Sequence, residues 1–371
     1  NMLQEIVKPK SDERLLKESK AALKELNRAG IVEIHDITTP KQTELFIKLQ
    51  EQGELTSRIW MRSDLARAQE FLDKGIKMGT HPVTGRYDSY LRYGAYKGYT
   101  DGIMGSYGAL FFQPYTDRPD WYGHYRKHSS DTPPDYLVGN MTKLLELLKV
   151  AHVGGFKANV HAIGTKGVAE TLDVLEELQR LIGPEFEGYR MIHAQVLRQE
   201  DFDRFKNLKL TAEINPYHVY DDMRWMEERI GYERCKGAYA FRSLEKGGAK
   251  LIFGSDWPGT ANAYYGVQPG LLLHSAVNRV NSDFEPIGGW FPEQKLTIEE
   301  SLRAYTINAA EGTFEGDIKG SIKVGKLADI TVFDVNPFEL EDTNDLLKIK
   351  VLMTMVDGNI VFNEVKILPS E

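Results

Sequence analysis

GFKANVHAIG (residues 155–164), a helix-like segment, and then YRMIHAQ (189–195) form the stretch from which the fold is read. Each apolar run is strand-like, and each closes on a histidine, first His161 and then His193. Two other runs end in the same way, LRYGAYKG (91–98) on Lys97 and KLIFGSDWP (250–258) on Asp256. One such residue alone says little. A histidine closing a strand is ordinarily a satisfied core residue, and an aspartate after Gly-Ser is ordinarily a turn residue or helix cap. Four in chain order, with helical sequence between them, read as one site at the C-terminal rim of a β/α barrel.

Strand and helix signals alternate outward from this stretch, the pattern of a parallel α/β architecture. Strands are predicted at 31–37, 57–62, 91–97, 155–161, 189–194, 208–215 and 249–255. A helix is expected from about Ser11 to Arg28, with Leu15, Leu16, Leu23 and Leu26 on its apolar face and Gly30 ending it. Others are expected around Leu65–Lys77, across Leu137–Leu148 and across Val168–Leu178. Thr297 and Glu300 have the spacing of a capping box. A closed (β/α)8 TIM barrel needs eight strands. Seven are counted, so the expectation is a barrel lacking its first strand. After Gly320 helix signals stop, and VLMTMV-DG-NIVF reads as a hairpin about Asp357-Gly358. The expected division is a barrel over 1–319 and a small β tail over 320–371. Two or three strands alone are marginal, so the tail should pack on other strands.

Forty-six basic residues stand against 54 acidic ones, a net charge of −8 over 371 residues, which argues against a nucleic-acid partner. Cys235 is the only cysteine, so no intrachain disulfide forms. It has no base beside it in CKGAYAFR and reads as structural. No apolar run approaches a membrane span, and no signal peptide is visible. The chain opens NMLQEIVKPK, straight into a helix, and its natural start is expected to have been removed. A cytoplasmic setting and a small-molecule substrate are the expectations. An incomplete barrel would expose strand edges, which favours homo-oligomers.

The four residues suit metal-activated hydrolysis. A divalent ion such as Zn²⁺ takes neutral imidazole and carboxylate, and brings the pKa of water from 15.7 to about 7. His161 and His193 leave successive strands and can converge. Asp256 can bind the ion and move the proton of the attacking water. An ammonium cannot ligate, so Lys97 would have to be deprotonated, or carbamylated by CO₂. His218, Asn215 and Trp257 are candidates for substrate contact. His35 reads as barrel structure, His124 and His128 as solvated, and His81 and His152 lack partners at ligand spacing. The aromatic-rich segment 99–135 is long for a connection and suits the wall of a site. Asp101 and Glu213 are the only carboxylate pair available to a glycosidase reading. No P-loop, dinucleotide fingerprint or serine nucleophile elbow is present.

At these residues the chain resembles the amidohydrolase superfamily, in its amidohydrolase-3 branch, which includes N-substituted formamide deformylase-like proteins. GIVEIHDI, YKGYTDGIMGS, NVHAIG, MIHAQVLRQED, INPYHVYDDMRW, GAYAFRSL, LIFGSDWPGT and GSIKVGKLADITVFD carry the resemblance over nearly the whole chain. It implies a metal-dependent hydrolase on a distorted TIM barrel, with a composite β-sandwich made from both chain ends. Lys97 then matches the fourth-strand lysine, and His161 and His193 the metal histidines of the fifth and sixth strands. Asp256 matches the eighth-strand aspartate that binds metal and acts as acid/base, and His218 the histidine near substrate. One or two zinc ions are implied for the intact protein. No His-x-His pair, which in the family closes the first strand, occurs in this sequence, and Thr165 stands where an acidic residue is common.

Overall fold

Seven parallel strands run side by side in chain order: β1 (Glu33–Ile37), β2 (Arg58–Asp64), β3 (Leu91–Tyr99), β4 (Ala158–Ala162), β5 (Arg190–His193), β6 (Thr211–Ile214) and β7 (Lys250–Phe253). The structure is a computed structural model and describes residues 10–126, 141–259 and 267–365. Among them β1 and β7 each pair on one side only, so the sheet curls like a barrel without closing. Each predicted strand is found, usually starting later than expected, as at Ala158 in place of 155.

Helices cross over between strands, as parallel pairing requires. They are α1 (Asp12–Arg28) before β1, α2 (Pro40–Glu51), α3 (Ala68–Asp73), α4 (Met141–Val153), α5 (Thr165–Ile182), α6 (Phe202–Asn207) and α7 (Pro216–Asp222), each between successive strands. Their starts follow the sequence. Ser11 accepts the N–H of Arg14, Thr39 with Gln42 forms a full capping box on α2, and Thr297 with Glu300 forms another on helix Ile298–Tyr305. The helix expected to reach Lys77 ends at Asp73, and Leu137 and His128 lie outside the described residues. No helix among the described residues is long and apolar enough to cross a membrane.

One irregularity aims the inner face. Tyr93 and Tyr96 both pack outward against Phe71 of α3, although they are three residues apart. The pleat alone would place them on opposite faces. The register of β3 against β2 shifts between Met61 and Arg62, opening a bulge at Gly94. A Cβ on Gly94 would lie 2.3 Å from the Trp60 indole, so only glycine fits there. The bulge lets Arg92 before it and Lys97 after it both face inward.

The tail is a three-stranded antiparallel sheet, β8 (Ile330–Phe333), β9 (Val351–Val356) and β10 (Asn359–Asn363), with the expected turn at Asp357-Gly358. It packs on α1, where Thr331 Oγ1 donates to Gly30 O at 2.7 Å and Thr354 Oγ1 to Asn27 O at 2.7 Å. The fully buried Arg58 of β2 clamps it to the barrel. Arg58 Nε donates to Asp329 at 2.7 Å, and its Nη2 donates to Asp329 and Asp357 at 3.0 Å each. Replacing Arg58 with Met strands the Asp329 carboxylate, which is 6% exposed. The expected cost is about 3–5 kcal/mol in urea unfolding, with the tail cut first in limited proteolysis.

Candidate metal centre

His193, His218 and Asp256 offer ligand atoms no more than 4.8 Å from one another. His193 ends β5, His218 lies in α7, and Asp256 follows β7. His218, expected as a substrate contact, lies beyond the predicted strand 208–215. Pro216 starts a helix directly after Asn215, and the side chain projects from its first turn. His218 Nε2 stands 3.6 Å from Asp256 Oδ2.

The backbone is strained at this centre. In the register, His161 opposes Ile192, so the pleat would turn His193 to the helix-covered face. His193 and Ala194 instead take φ of 72° and 42°, and the ring returns to the rim against His161 with centroids 4.5 Å apart. Asp256 has φ of 54°. Such conformations cost on the order of 1–3 kcal/mol each in non-glycine residues and gather at functional sites. His193 Nδ1 lies 2.7 Å from Asn215 Oδ1, and Asn215 Nδ2 donates to Gly254 O at 2.9 Å. The amide thereby orients the imidazole and leaves Nε2 for the centre.

The electrostatics fit a divalent cation. Burial, reinforced by neighbouring cations, holds His161 and His193 well below the usual histidine range, and burial lowers His218 as well. Neutral imidazoles keep the lone pairs a metal needs. The two imidazoles and the carboxylate of this cluster suit zinc-like ions, with His161 packed against His193 beside it. These residues fit the group.

Lys97 is 1% exposed, and its Nζ lies 4.8 Å from the Tyr99 ring centre. Burial, together with the charge of Arg62, brings it down to about 7, opposed by Glu213 and Asp256. An amine with that pKa is substantially uncharged at neutral pH, as ligation or carbamylation requires. Trp257 packs toward Leu26, Ala29 and Val267, on the α1 side of the centre. Lys97, Asn215, Asp256 and Trp257 all line a cavity of about 960 Å³ that runs along the open β1–β7 seam. His161 stands beside His193, its Nε2 3.5 Å from Asp101 Oδ1. Burial pushes the Asp101 carboxyl up to about 7, against three backbone N–H donors.

The other histidines are engaged elsewhere. His81 lies 2.8 Å from Gln50 Oε1, His152 lies 3.3 Å from Glu185, and His124 Nδ1 lies 2.8 Å from Tyr125 O. His35 Nδ1 accepts from Arg190 at 3.1 Å inside the barrel. The glycosidase pair is otherwise committed, since Glu213 bridges Arg62 (2.7 Å) and Arg190 (3.1 Å) and Asp101 holds backbone. The motif reading missed Arg62 and Arg190, which flank Glu213, and Arg62 also acts on Lys97. Their signal was present, because an arginine inside an apolar run, as in RIWMR and YRMIH, needs a buried partner.

Two outcomes follow. Lys97 titrates at about 7 when folded and near 10.5 when exposed, so between those values the unfolded chain binds more protons and stability rises with pH. Lys97→Met should therefore add stability on the order of 3–5 kcal/mol at pH 7 and flatten the urea-unfolding profile between pH 7 and 9. Asn215→Ala frees the His193 ring and should weaken zinc binding by about 10–100-fold in equilibrium dialysis.

Similarity to known proteins agrees with this geometry. The chain is 32% identical over 270 residues to the Arabidopsis thaliana protein LONG AFTER FAR-RED 3, covering 72% of this chain and 43% of that one. It is 28% identical over 207 residues to N-substituted formamide deformylase of Arthrobacter pascens, covering 55% and 36%. It thus spans less than half the length of these relatives. An uncharacterized metal-dependent hydrolase from Pyrococcus horikoshii shares the fold, with a TM-score of 0.74 at 24% identity over 90% of this chain and 62% of that one. The family model described as "Amidohydrolase family" matches residues 1–362, and this chain belongs to the amidohydrolase family.

Proposed function

We propose that the chain is the catalytic barrel of a metal-dependent hydrolase that cleaves a non-peptide C–N bond, an amide or an N-substituted formamide. The convergence of His193, His218 and Asp256, with the imidazoles held neutral, carries this reading. The deformylase relative supports the formamide class. His161, His193, His218, Asp256 and an uncharged or carbamylated Lys97 would hold one or two ions, with zinc favoured. Such an ion supplies Lewis acidity that makes water nucleophilic at neutral pH.

The side chains do the rest. Asp256, 39% exposed and braced by His218, can reach both water and substrate. It takes the proton of the attacking water and delivers it to the leaving nitrogen. Asn215 keeps the His193 ring in place. The apolar wall of the seam cavity around Trp257, Leu26 and Ile34 takes the nitrogen substituent and excludes water.

Among the described residues the outer edges of β1 and β7 are unpaired, which favours a second reading, in which this chain alone binds without turnover. Purified chain loaded with zinc should release formate or carboxylate from a panel of N-substituted formamides and amides. Asp256→Asn should lower turnover by about 10²–10⁴-fold with the circular dichroism spectrum unchanged. Full activity in that variant defeats the role given to Asp256. Stoichiometric zinc with no turnover on any substrate favours the second reading.

A further inference from the structure

Asp101 takes no part in the steps above, yet its surroundings are built around its carboxylate. It is 0% exposed, just beyond β3. Oδ2 accepts the backbone N–H groups of Leu110 at 2.9 Å and Gly164 at 2.8 Å, and Oδ1 accepts that of Ile163 at 3.0 Å. Gly164 and Thr165 begin α5, so the carboxylate sits at the N-terminus of an 18-residue helix, where negative charge is stabilised. Two glycines make the space. A Cβ on Gly167 would come within 2.6 Å of Oδ2, and one on Gly164 would strike the Leu110 carbonyl at 2.2 Å.

Three acceptor positions of the carboxylate are thus filled by donors, and the free position of Oδ1 faces His161 Nε2 at 3.5 Å. That nitrogen is buried and has no hydrogen-bond partner. A ring nitrogen that faces acceptors must carry the hydrogen, and a neutral imidazole then has its lone pair on the other nitrogen.

We propose that Asp101 is a positioning residue that holds His161 in the Nε2–H tautomer and leaves Nδ1 as the open donor atom. The separation is long for a closed hydrogen bond, as is common where a site is not engaged with its ligand. The value of this tautomer for metal binding rests on the metal-centre reading above. The tautomer itself does not, and it can be read without metal.

The test is long-range ¹H–¹⁵N correlation on the metal-free full chain labelled with ¹⁵N-histidine at pH 8, with His161 identified by the signals lost in His161→Gln. The expected spectrum shows His161 protonated on Nε2 and bare on Nδ1. Asp101→Asn should move it toward a tautomer mixture and weaken zinc binding by about 10–100-fold. A merely structural role is separated by Thr171→Val, which removes the buried Thr100–Thr171 hydrogen bond (2.7 Å) on the same helix. That variant should lower the melting temperature and leave the tautomer unchanged. His161 protonated on Nδ1 in the wild type, or an unchanged tautomer in folded Asp101→Asn, overturns the proposal. Should Asp101→Asn fail to fold, the wild-type tautomer still decides. The expected tautomer without any zinc binding would sustain Asp101's role while defeating the metal reading.

Discussion

Glu213 lies between two arginines inside the curled sheet, and the shape of the barrel depends on that contact. Its oxygens meet Arg62 of β2 at 2.7 Å and Arg190 of β5 at 3.1 Å. Arg62 also donates to the His35 carbonyl of β1, and Arg190 to the Gly312 carbonyl beyond β7. A closed barrel holds its curvature by hydrogen-bonding its last strand to its first. Here β1 and β7 are unpaired among the described residues, and charge-assisted bonds across the interior tie opposite strands together. A buried pair of this kind adds little net stability over a well-packed apolar interior, but removing one partner is expensive. Arg62 and Glu213 of this set also act on Lys97, so besides burial the interior that shapes the sheet influences the protonation of the amine at its rim.

The rim follows from two departures from regular strand geometry. The bulge at Gly94 brings Lys97 to the inner face, and left-handed φ at His193, Ala194 and Asp256 turns their chain ends inward. Each departure costs free energy that the surrounding packing must offset. That packing is close, with Trp60 filling the space at Gly94 and Asn215 bracing His193. The Glu33–Arg92 pair, closed at 2.9 Å, fixes β3 on β1 ahead of the bulge.

Most of the fold was legible. Seven strand positions, the capping box at Thr297 and the Asp357-Gly358 turn depend on local periodicity and side-chain chemistry within a few residues. Strand beginnings were placed too early because apolar residues continue ahead of the paired register, as Phe156 does before Ala158. The tail was expected to need a partner sheet, and it finds support on α1 and through Arg58. The helix carrying His218 was missed because it is only seven residues long and carries no hydrophobic repeat long enough to detect.

By itself, the sequence determined the alternation of strands and helices and the residue type that ends each strand, since both are written in local spacing. It therefore named Lys97, His161, His193 and Asp256, and the family to which they point. Tertiary structure alone decided which side chains meet. It set His218 beside Asp256, turned His161 Nε2 toward Asp101, and brought the unannounced Arg62 to bear on Lys97. Those facts depend on register, a one-residue bulge and backbone twists at three rim residues. A single-residue slip reverses the face of every side chain that follows it, so spacing along the chain cannot supply what pairing between strands decides.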